Sequence, residues 1–281
     1  MTTIVEATRL TAFLTEKSRE IRRQVLTMIY RARSGHPGSS LSAVEIMTVL
    51  LYHEIRHDPQ NPEWPNRDRF ILSKGHAAPV LYAILADQGY FQSDDLDSFR
   101  TIGCHLQGHP SHKSTPGVEA TTGSLGQGLS IGCGLAYAIK YLNRSDNRVY
   151  VLLGDGELDE GQIWEAAMFA SHYNLDNLIA LVDRNNFQYV GKTESVMALE
   201  PLADKWCAFG WHVEEVDNGN DVGALLIALE NCKEVLKPKL ILAKTIKGKG
   251  VSFMENTSFW HGKAPNKDEF ERAMAELEGI E

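Results

Sequence analysis

No stretch of this 281-residue chain is long and apolar enough to span a membrane; the best window, residues 43–51, is short and contains Glu45. The first twenty residues mix charges with apolar side chains and lack the apolar core of a secretory signal. Both absences lead to the expectation of a soluble cytoplasmic protein with no membrane partner. Basic residues are outnumbered, 28 Lys and Arg against 37 Asp and Glu, and no basic run locally reverses the net charge of −9. That balance argues against nucleic acid or an anionic membrane as a partner. Cysteine is scarce. Cys104, Cys133, Cys207 and Cys232 are scattered without paired metal-type spacing, which fits reduced, packed thiols. No internal repeat and no Ser-, Gln- or Pro-rich linker breaks the chain, so one domain over residues 1–281 is expected.

What is present is an ordinary globular composition, 43% hydrophobic and 23% charged, arranged as strands alternating with helices. Strands are expected at Arg69-Phe70-Ile71-Leu72, in the apolar runs 149–153 and 178–182, and at residues 211–216 and 239–244. Helical spacing marks residues 16–33, 77–88, 202–209, 222–235 and 268–277, with Ile163, Ala166, Ala167 and Ala170 on one face of a further helix. Ser42 and Glu45 form a capping-box pattern ahead of Val44, Ile46, Val49 and Leu50, and Ser93 caps an acidic helix over residues 94–101. Small residues, Gly132 and Gly134 among them, fill a helix that must pack closely despite its low propensity. This alternation predicts an α/β fold, a doubly wound, mostly parallel sheet with helices on both faces.

The chemistry is expected at the carboxyl ends of two strands. Gly154-Asp155-Gly156 ends one and Asp183-Arg184-Asn185-Asn186 ends the other. If these strands are parallel neighbours, Asp155 and Asn185 meet at the edge where open α/β sheets bind ligands. A carboxylate, an amide oxygen and a backbone carbonyl leave room on a magnesium ion for two diphosphate oxygens, and a helix beginning near Glu157 offers amides to the same phosphates. Gly-Asp-Gly taken alone also suits a plain capping turn. The acids Glu157, Asp159 and Glu160 oppose a bound phosphate and must point away or serve another purpose. His36, His76, His109 and His261 all lie on Gly-flanked turns, as suits proton transfer near neutral pH or stabilisation of an alkoxide. A zinc site of His105, His109 and His112 lacks a clear fourth ligand. Lys247, Lys249 and Lys263 can bind phosphate, although loop lysines are usually just solvated. The long segment 103–128 reads as a shaped, functional loop rather than low complexity.

Taken in order, Ser34-Gly35-His36-Pro37-Gly38, Ser73-Lys74-Gly75-His76, Gly108-His109-Pro110, Thr122-Gly123-Ser124-Leu125-Gly126-Gln127-Gly128, Gly154-Asp155-Gly156 with Glu160-Gly161 and Glu165, Phe209-Gly210-Trp211-His212-Val213 and Trp260-His261-Gly262 carry a specific resemblance. Over nearly its whole length the chain resembles the N-terminal, diphosphate-binding part of transketolase. The resemblance implies thiamine diphosphate as cofactor, with Mg2+ (or Ca2+ or Mn2+) held by Asp155, Asn185 and the carbonyl of Phe187. It implies that Gly154, Gly156, His76 and His261 contact the phosphates, that Gly123, Ser124 and Leu125 line the thiamine, and that Glu160 and Glu165 join a network linking paired active sites. His36, His76, His109 and His261 become the catalytic set, His261 and His36 foremost, for passing a two-carbon ketol unit from a ketose or its phosphate to an aldose acceptor.

The family's usual Gly-His-Pro-Glu is Gly108-His109-Pro110-Ser111 here, Ser124 replaces a proline of some members, and Phe187-Gln188-Tyr189-Val190 replaces a more aliphatic segment. These departures bear on sugar preference. The family's pyrimidine-binding domain would begin where this chain ends, so it is expected on a partner chain, a C-terminal transketolase subunit, in a heterotetramer. Rival readings are a subunit of deoxyxylulose-phosphate synthase or of a 2-oxoacid dehydrogenase, or a non-catalytic regulatory subunit. A haloacid-dehalogenase-type phosphatase lacks its Asp-x-Asp nucleophile here.

Overall fold

Five strands build the sheet, four of them from mostly buried, largely aliphatic runs and β4 from a half-covered one: β1 (Arg69–Leu72), β2 (Val149–Gly154), β3 (Leu178–Arg184), β4 (His212–Val216) and β5 (Lys239–Lys244). The computed structural model describes residues 4–279, so residues 1–3 and 280–281 of the expected domain lie outside the described residues. All strand pairs are parallel, in the order β1-β2-β3-β5-β4. β2 and β3 are buried at every position, the continuous apolar pattern of strands covered on both faces. β4, at the edge, is only partly covered until Val216.

The helices are α1 (Ile4–Ala32), α2 (Pro37–Leu41), α3 (Val44–Val49), α4 (Ala78–Asp87), α5 (Gln127–Tyr137), α6 (Gly161–His172), α7 (Thr193–Val196), α8 (Leu202–Ala208), α9 (Val222–Asn231) and α10 (Lys267–Glu278). Alternate strand residues point to opposite faces and so feed two cores. Tyr150, Leu152, Ile179, Leu181 and Ile241 meet α1, α3, α4 and α9 on one side. Val149, Val151, Leu153, Ala180 and Val182 meet α5, α6 and α8 on the other. The expected α/β architecture is the observed one.

Local expectations fail where a side chain finds a distant partner. The Ser42–Glu45 capping box does not form, because the Ser42 hydroxyl donates to Asp183 across the sheet edge and Glu45 receives Arg22 and Asn220. The turn that carries His36 leads directly into α2, with His36 at its N-cap. The acidic helix over residues 94–101 is a single 3₁₀ stretch, Ser93–Ser98, whose last serine bonds back to the Asp95 carbonyl at 2.6 Å and ends it. α1 starts a dozen residues before the expected position, with residues 5–9 exposed and Leu10 and Leu14 already packed on the core. α9 stops at Asn231, short of the expected end at residue 235, and α7 has no counterpart among the expected helices.

The small-residue helix α5 does pack as its composition implies. A Cβ on Gly132 would lie 2.6 Å from Val151 Cγ2, whereas a Cβ on Gly134 meets nothing within 4 Å. The two glycines therefore predict opposite outcomes. In the isolated chain Gly132→Val destabilises by about 1–3 kcal/mol through overpacking. Gly134→Ala stabilises by about 0.5–1 kcal/mol through backbone entropy. Urea denaturation of both variants checks this; effects of the same sign would contradict the packing assigned to α5.

Candidate active site

Four of the five strands deliver a polar residue to one cleft as soon as they end. Lys74 and His76 follow β1, Asp155 follows β2, Asn185 follows β3, and Lys247 follows β5. The cleft is about 240 Å³ and is lined by Asp155, Asn185, Phe187, His76, His261 and Lys247, with Leu125, Gly156 and Gln188 among their neighbours. β2 and β3 pair in register Gly154 to Asp183, which brings Asp155 and Asn185 together as expected of parallel neighbours.

Asp155 is buried, and its carboxylate is oriented by backbone donors: Oδ1 accepts Gly156 N at 2.8 Å and Oδ2 accepts Asn186 N at 2.6 Å. Burial, with Asp183 nearby, pushes its pKa up to about 6. The Asn185 side-chain oxygen accepts Phe187 N at 3.1 Å, which closes the turn after β3 and directs that loop over the cleft. Gly156 is needed here because Gln188 lies against it; a Cβ would come within 2.7 Å of Gln188 Cβ.

The acids at the start of the next segment behave unlike a phosphate-facing cluster. Glu157 turns inward and accepts Gly154 N at 3.0 Å, Gly126 N at 2.9 Å and the Ser73 hydroxyl. Burial raises its pKa, and those donors oppose the rise. The expected helix near Glu157 is a 3₁₀ turn, Gly156–Asp159, and α6 begins at Gly161. The amides of Gly154 and Gly156 are thus already engaged by Glu157 and Asp155. These glycines offer close approach rather than free donors.

Beneath the cleft lies a buried ion pair. Lys74 donates to Asp183 and, at 3.0 Å, to the Ser39 carbonyl. Asp183 also accepts the hydroxyls of Ser42 and Thr245. Burial alone would raise the Asp183 pKa, but the Lys74 ammonium and these donors hold it below the usual carboxylate range. Lys247 is a second buried cation, its Nζ 3.1 Å from His261 Nδ1. Burial and the nearby Lys74 charge bring its pKa down to about 8. It is not a solvated loop lysine; Lys249 and Lys263 do sit near the surface, paired with Glu255 and Glu269.

The four turn histidines converge. Ring centroids lie 5.3 Å apart for His36 and His76, 5.4 Å for His36 and His261, 5.2 Å for His76 and His261 and 6.4 Å for His36 and His109. Burial, reinforced by neighbouring positive charge, lowers all four pKa values, to about 4 for His36 and about 3 for His261. The imidazoles are neutral at pH 7. His36 Nδ1 is buried with no protein partner among the described residues. His105 and His112 face elsewhere, toward Asp95 and the Val118 carbonyl.

Residues 15–280 match the sequence profile of the transketolase thiamine diphosphate binding domain. This chain belongs to that transketolase family. It is 45% identical over 266 residues to the 6-deoxy-6-sulfo-D-fructose transketolase subunit SqwG of Clostridium sp. (strain MSTE9), covering 94% of this chain and 96% of that one. It is 41% identical to an apulose-4-phosphate transketolase subunit of Phocaeicola vulgatus, over 93% and 92% of the two chains. A crystal structure of Pichia stipitis transketolase with sedoheptulose 7-phosphate superposes with TM-score 0.90 at 35% identity, over 94% of this chain and 40% of that one. The chain therefore spans nearly all of the two bacterial relatives and about two fifths of the Pichia enzyme.

The family's cofactor fits the residues present. No three His, Cys, Asp or Glu side chains gather as a metal cluster among the described residues, so Asp155 and Asn185 are at most part of a ligand set, one that phosphate oxygens can complete. Lys247, buried at the cleft and not paired with a carboxylate among the described residues, supplies a cation that a diphosphate can use, while Lys74 is held by Asp183. Of the expected thiamine-lining segment, Leu125 lines the cleft, Gly123 backs onto the His109 ring and Ser124 is exposed. Glu160 borders the cleft at the start of α6, and Glu165 lies on the exposed side of that helix. Sequence reasoning missed the Lys74–Asp183 pair, whose signal was its place at the strand ends. For Glu157 the expectation that its charge must point away or serve another purpose is met by its inward bonds to Ser73, Gly126 and Gly154.

A diphosphate is attracted to a protonated Lys247 and not to a neutral one, so affinity for thiamine diphosphate should be fullest below about pH 8 and decline above it, approaching a tenfold loss per pH unit. Lys247→Met should bind more weakly at pH 7 and lose that slope. Calorimetric titration from pH 7 to 9 checks both; an unchanged slope in the variant would assign the effect to another group.

Proposed function

We propose that this chain is the diphosphate-binding subunit of a split transketolase, a transferase that moves a two-carbon ketol unit from a ketose or ketose phosphate to an aldose acceptor. The observation that carries the reading is the convergence of Asp155, Asn185 and Phe187 with His76, His261 and Lys247 on one cleft. Asp155, Asn185 and the Phe187 carbonyl hold a divalent cation, Mg2+ in the first instance, with Ca2+ or Mn2+ as substitutes. His76, His261, Lys74 and Lys247 face the diphosphate, which Gly154 and Gly156 let approach closely, and Leu125 flanks the thiamine. When bound, the cofactor supplies the nucleophilic carbon and the electron sink needed to cleave a ketose beside its carbonyl.

The chain's own part is to orient the sugar and handle protons. A neutral imidazole accepts a proton from a donor hydroxyl at one nitrogen and donates to an oxyanion from the other. His36 is suited to this because its Nδ1 has no protein partner among the described residues, and His261 because Lys247 Nζ sits 3.1 Å from its Nδ1. His76 and His109 complete the cluster around the reacting carbons.

The second half of the site comes from a partner. In our reading a separate pyrimidine-domain subunit covers the open side of the cleft, and two such pairs form a heterotetramer in the cytoplasm. The outward side of α5 and α6 supports further assembly: Ile131, Met168, Phe169 and Tyr173 are exposed there, with Phe169 and Tyr173 rings 4.6 Å apart, beside Glu165. A patch of that kind on a soluble protein marks a contact surface.

Mixed with its pyrimidine-domain partner, the chain should show ketol transfer that neither subunit shows alone. Asp155→Ala should abolish Mg2+-dependent binding of thiamine diphosphate, as read by calorimetry. Retained affinity would refute the metal assignment, and silence with every pyrimidine-domain partner would leave a regulatory role as the better reading. Phe169→Asp should halve the assembly's mass in analytical ultracentrifugation without altering the fold of the isolated chain.

A further inference from the structure

The residue between Asp183 and Asn185 has no part in the scheme above, yet it is a buried guanidinium with four partners. Arg184 Nη1 donates to Asp155 Oδ2 at 3.3 Å and to Thr193 Oγ1 at 2.7 Å. Its Nη2 donates to Glu194 Oε1 and to Glu200 Oε1, both at 2.9 Å. A guanidinium has five N–H donors on a fixed fork and can serve four acceptors from two nitrogens, whereas an ammonium has only three.

The partners other than Asp155 all belong to the connection between β3 and α8, whose start at Phe187, Gln188 and Tyr189 walls the cleft. That connection is tied back at each stage. Thr193 N donates to the Asn186 carbonyl at 3.0 Å, Leu199 N to Glu194 Oε1 at 3.1 Å, and Leu202 N to Glu200 Oε2 at 2.8 Å. Glu200 thereby also caps α8. Through its side chain Arg184 links this cross-tied loop to the Asp155 carboxylate.

Charge points the same way. Asp155, Glu194 and Glu200 carry three negative charges around the single positive charge of Arg184, which leaves an excess of two. That excess equals the charge of a divalent cation. Glu194 and Glu200 engage the guanidinium through Nη2, the nitrogen that does not reach Asp155, so its charge is compensated there and does not cancel the attraction of Asp155 for a metal.

We propose that Arg184 is a positioning residue that locks the Asp155 carboxylate and the 186–200 loop into one unit, and that Glu194 and Glu200, through Arg184, set the affinity of the site for its divalent cation. The inference depends on the cofactor reading above. It gives residues remote from the cleft a defined effect on metal binding without any contact with the metal.

The test uses the chain reconstituted with its partner, thiamine diphosphate, and Mn2+ as probe, with free Mn2+ counted by electron paramagnetic resonance. Arg184→Met should raise the Mn2+ dissociation constant by about 10–100-fold, the usual effect of losing a group that orients a metal ligand. The turnover rate at saturating Mn2+ should stay within a few-fold of the unaltered protein. Arg184→Lys should recover only part of the affinity. The double change Glu194→Gln with Glu200→Gln alters side chains that are 41% and 57% exposed, so it spares the fold even if Arg184→Met does not. It should weaken Mn2+ binding several-fold. Unchanged Mn2+ affinity in the double variant, or in a folded Arg184→Met, would overturn the inference. Absence of any Mn2+-dependent cofactor binding in the unaltered assembly would overturn the cofactor reading itself.

Discussion

The Lys74–Asp183 ion pair is the constraint on which the rest of the site depends. Both charges are buried, and taking them out of water is compensated only because the groups around them are engaged. Asp183 binds Lys74, Ser42 and Thr245, and Lys74 also reaches the Ser39 carbonyl. One carboxylate therefore ties together the ends of β1, β3 and β5 and the turn between α2 and α3. Removing either charge strands the other, a loss of about 3–5 kcal/mol in comparable buried pairs. The floor of the cleft is rigid for that reason, and the carboxyl ends of the strands stay in register.

Above this floor the electrostatics are arranged in layers. Lys247 and Lys74 supply positive charge, and the histidines next to them stay neutral because burial and those same ammonium groups oppose protonation. Neutral imidazoles can both take and give protons, whereas an imidazolium can only give. Glu157, which taken alone opposes an anionic ligand, directs its charge inward to Ser73 and the amides of Gly126 and Gly154. It holds the turn after β2 in shape and keeps that carboxylate from facing the cleft.

The long loop between the 3₁₀ stretch and α5 illustrates how an irregular segment can be as fixed as a helix. Tyr82 donates to the Gln107 and His109 carbonyls at 2.9 and 3.1 Å, Thr115 to His105 at 2.6 Å, and Thr122 to Leu72 at 2.7 Å. These bonds satisfy backbone groups that a buried loop would otherwise leave unpaired. His109 is presented to His36 by that scaffold.

Much of this was legible from residue order. Apolar runs of strand length followed by polar turns located β1, β2, β3 and β5 and, with them, Asp155, Asn185, His76 and the position of Lys247, because side-chain periodicity and strand termination are local properties. Helix ends and caps were less legible. Ser42 and Glu45 match a capping box in sequence, but their side chains are claimed by Asp183 and Arg22, residues far away along the chain. The same holds for Lys247, which reads as a phosphate binder or a solvated loop lysine until its burial beside His261 is known, and for Glu157, whose inward partners no local pattern names. Sequence by itself therefore determined the α/β alternation, the edge of the sheet that carries the chemistry and the identity of most of its polar residues. Only the tertiary structure decided which of those charges are buried, which are neutral and which are paired, since desolvation and ion pairing are set by neighbours that the chain brings together from dozens of residues apart.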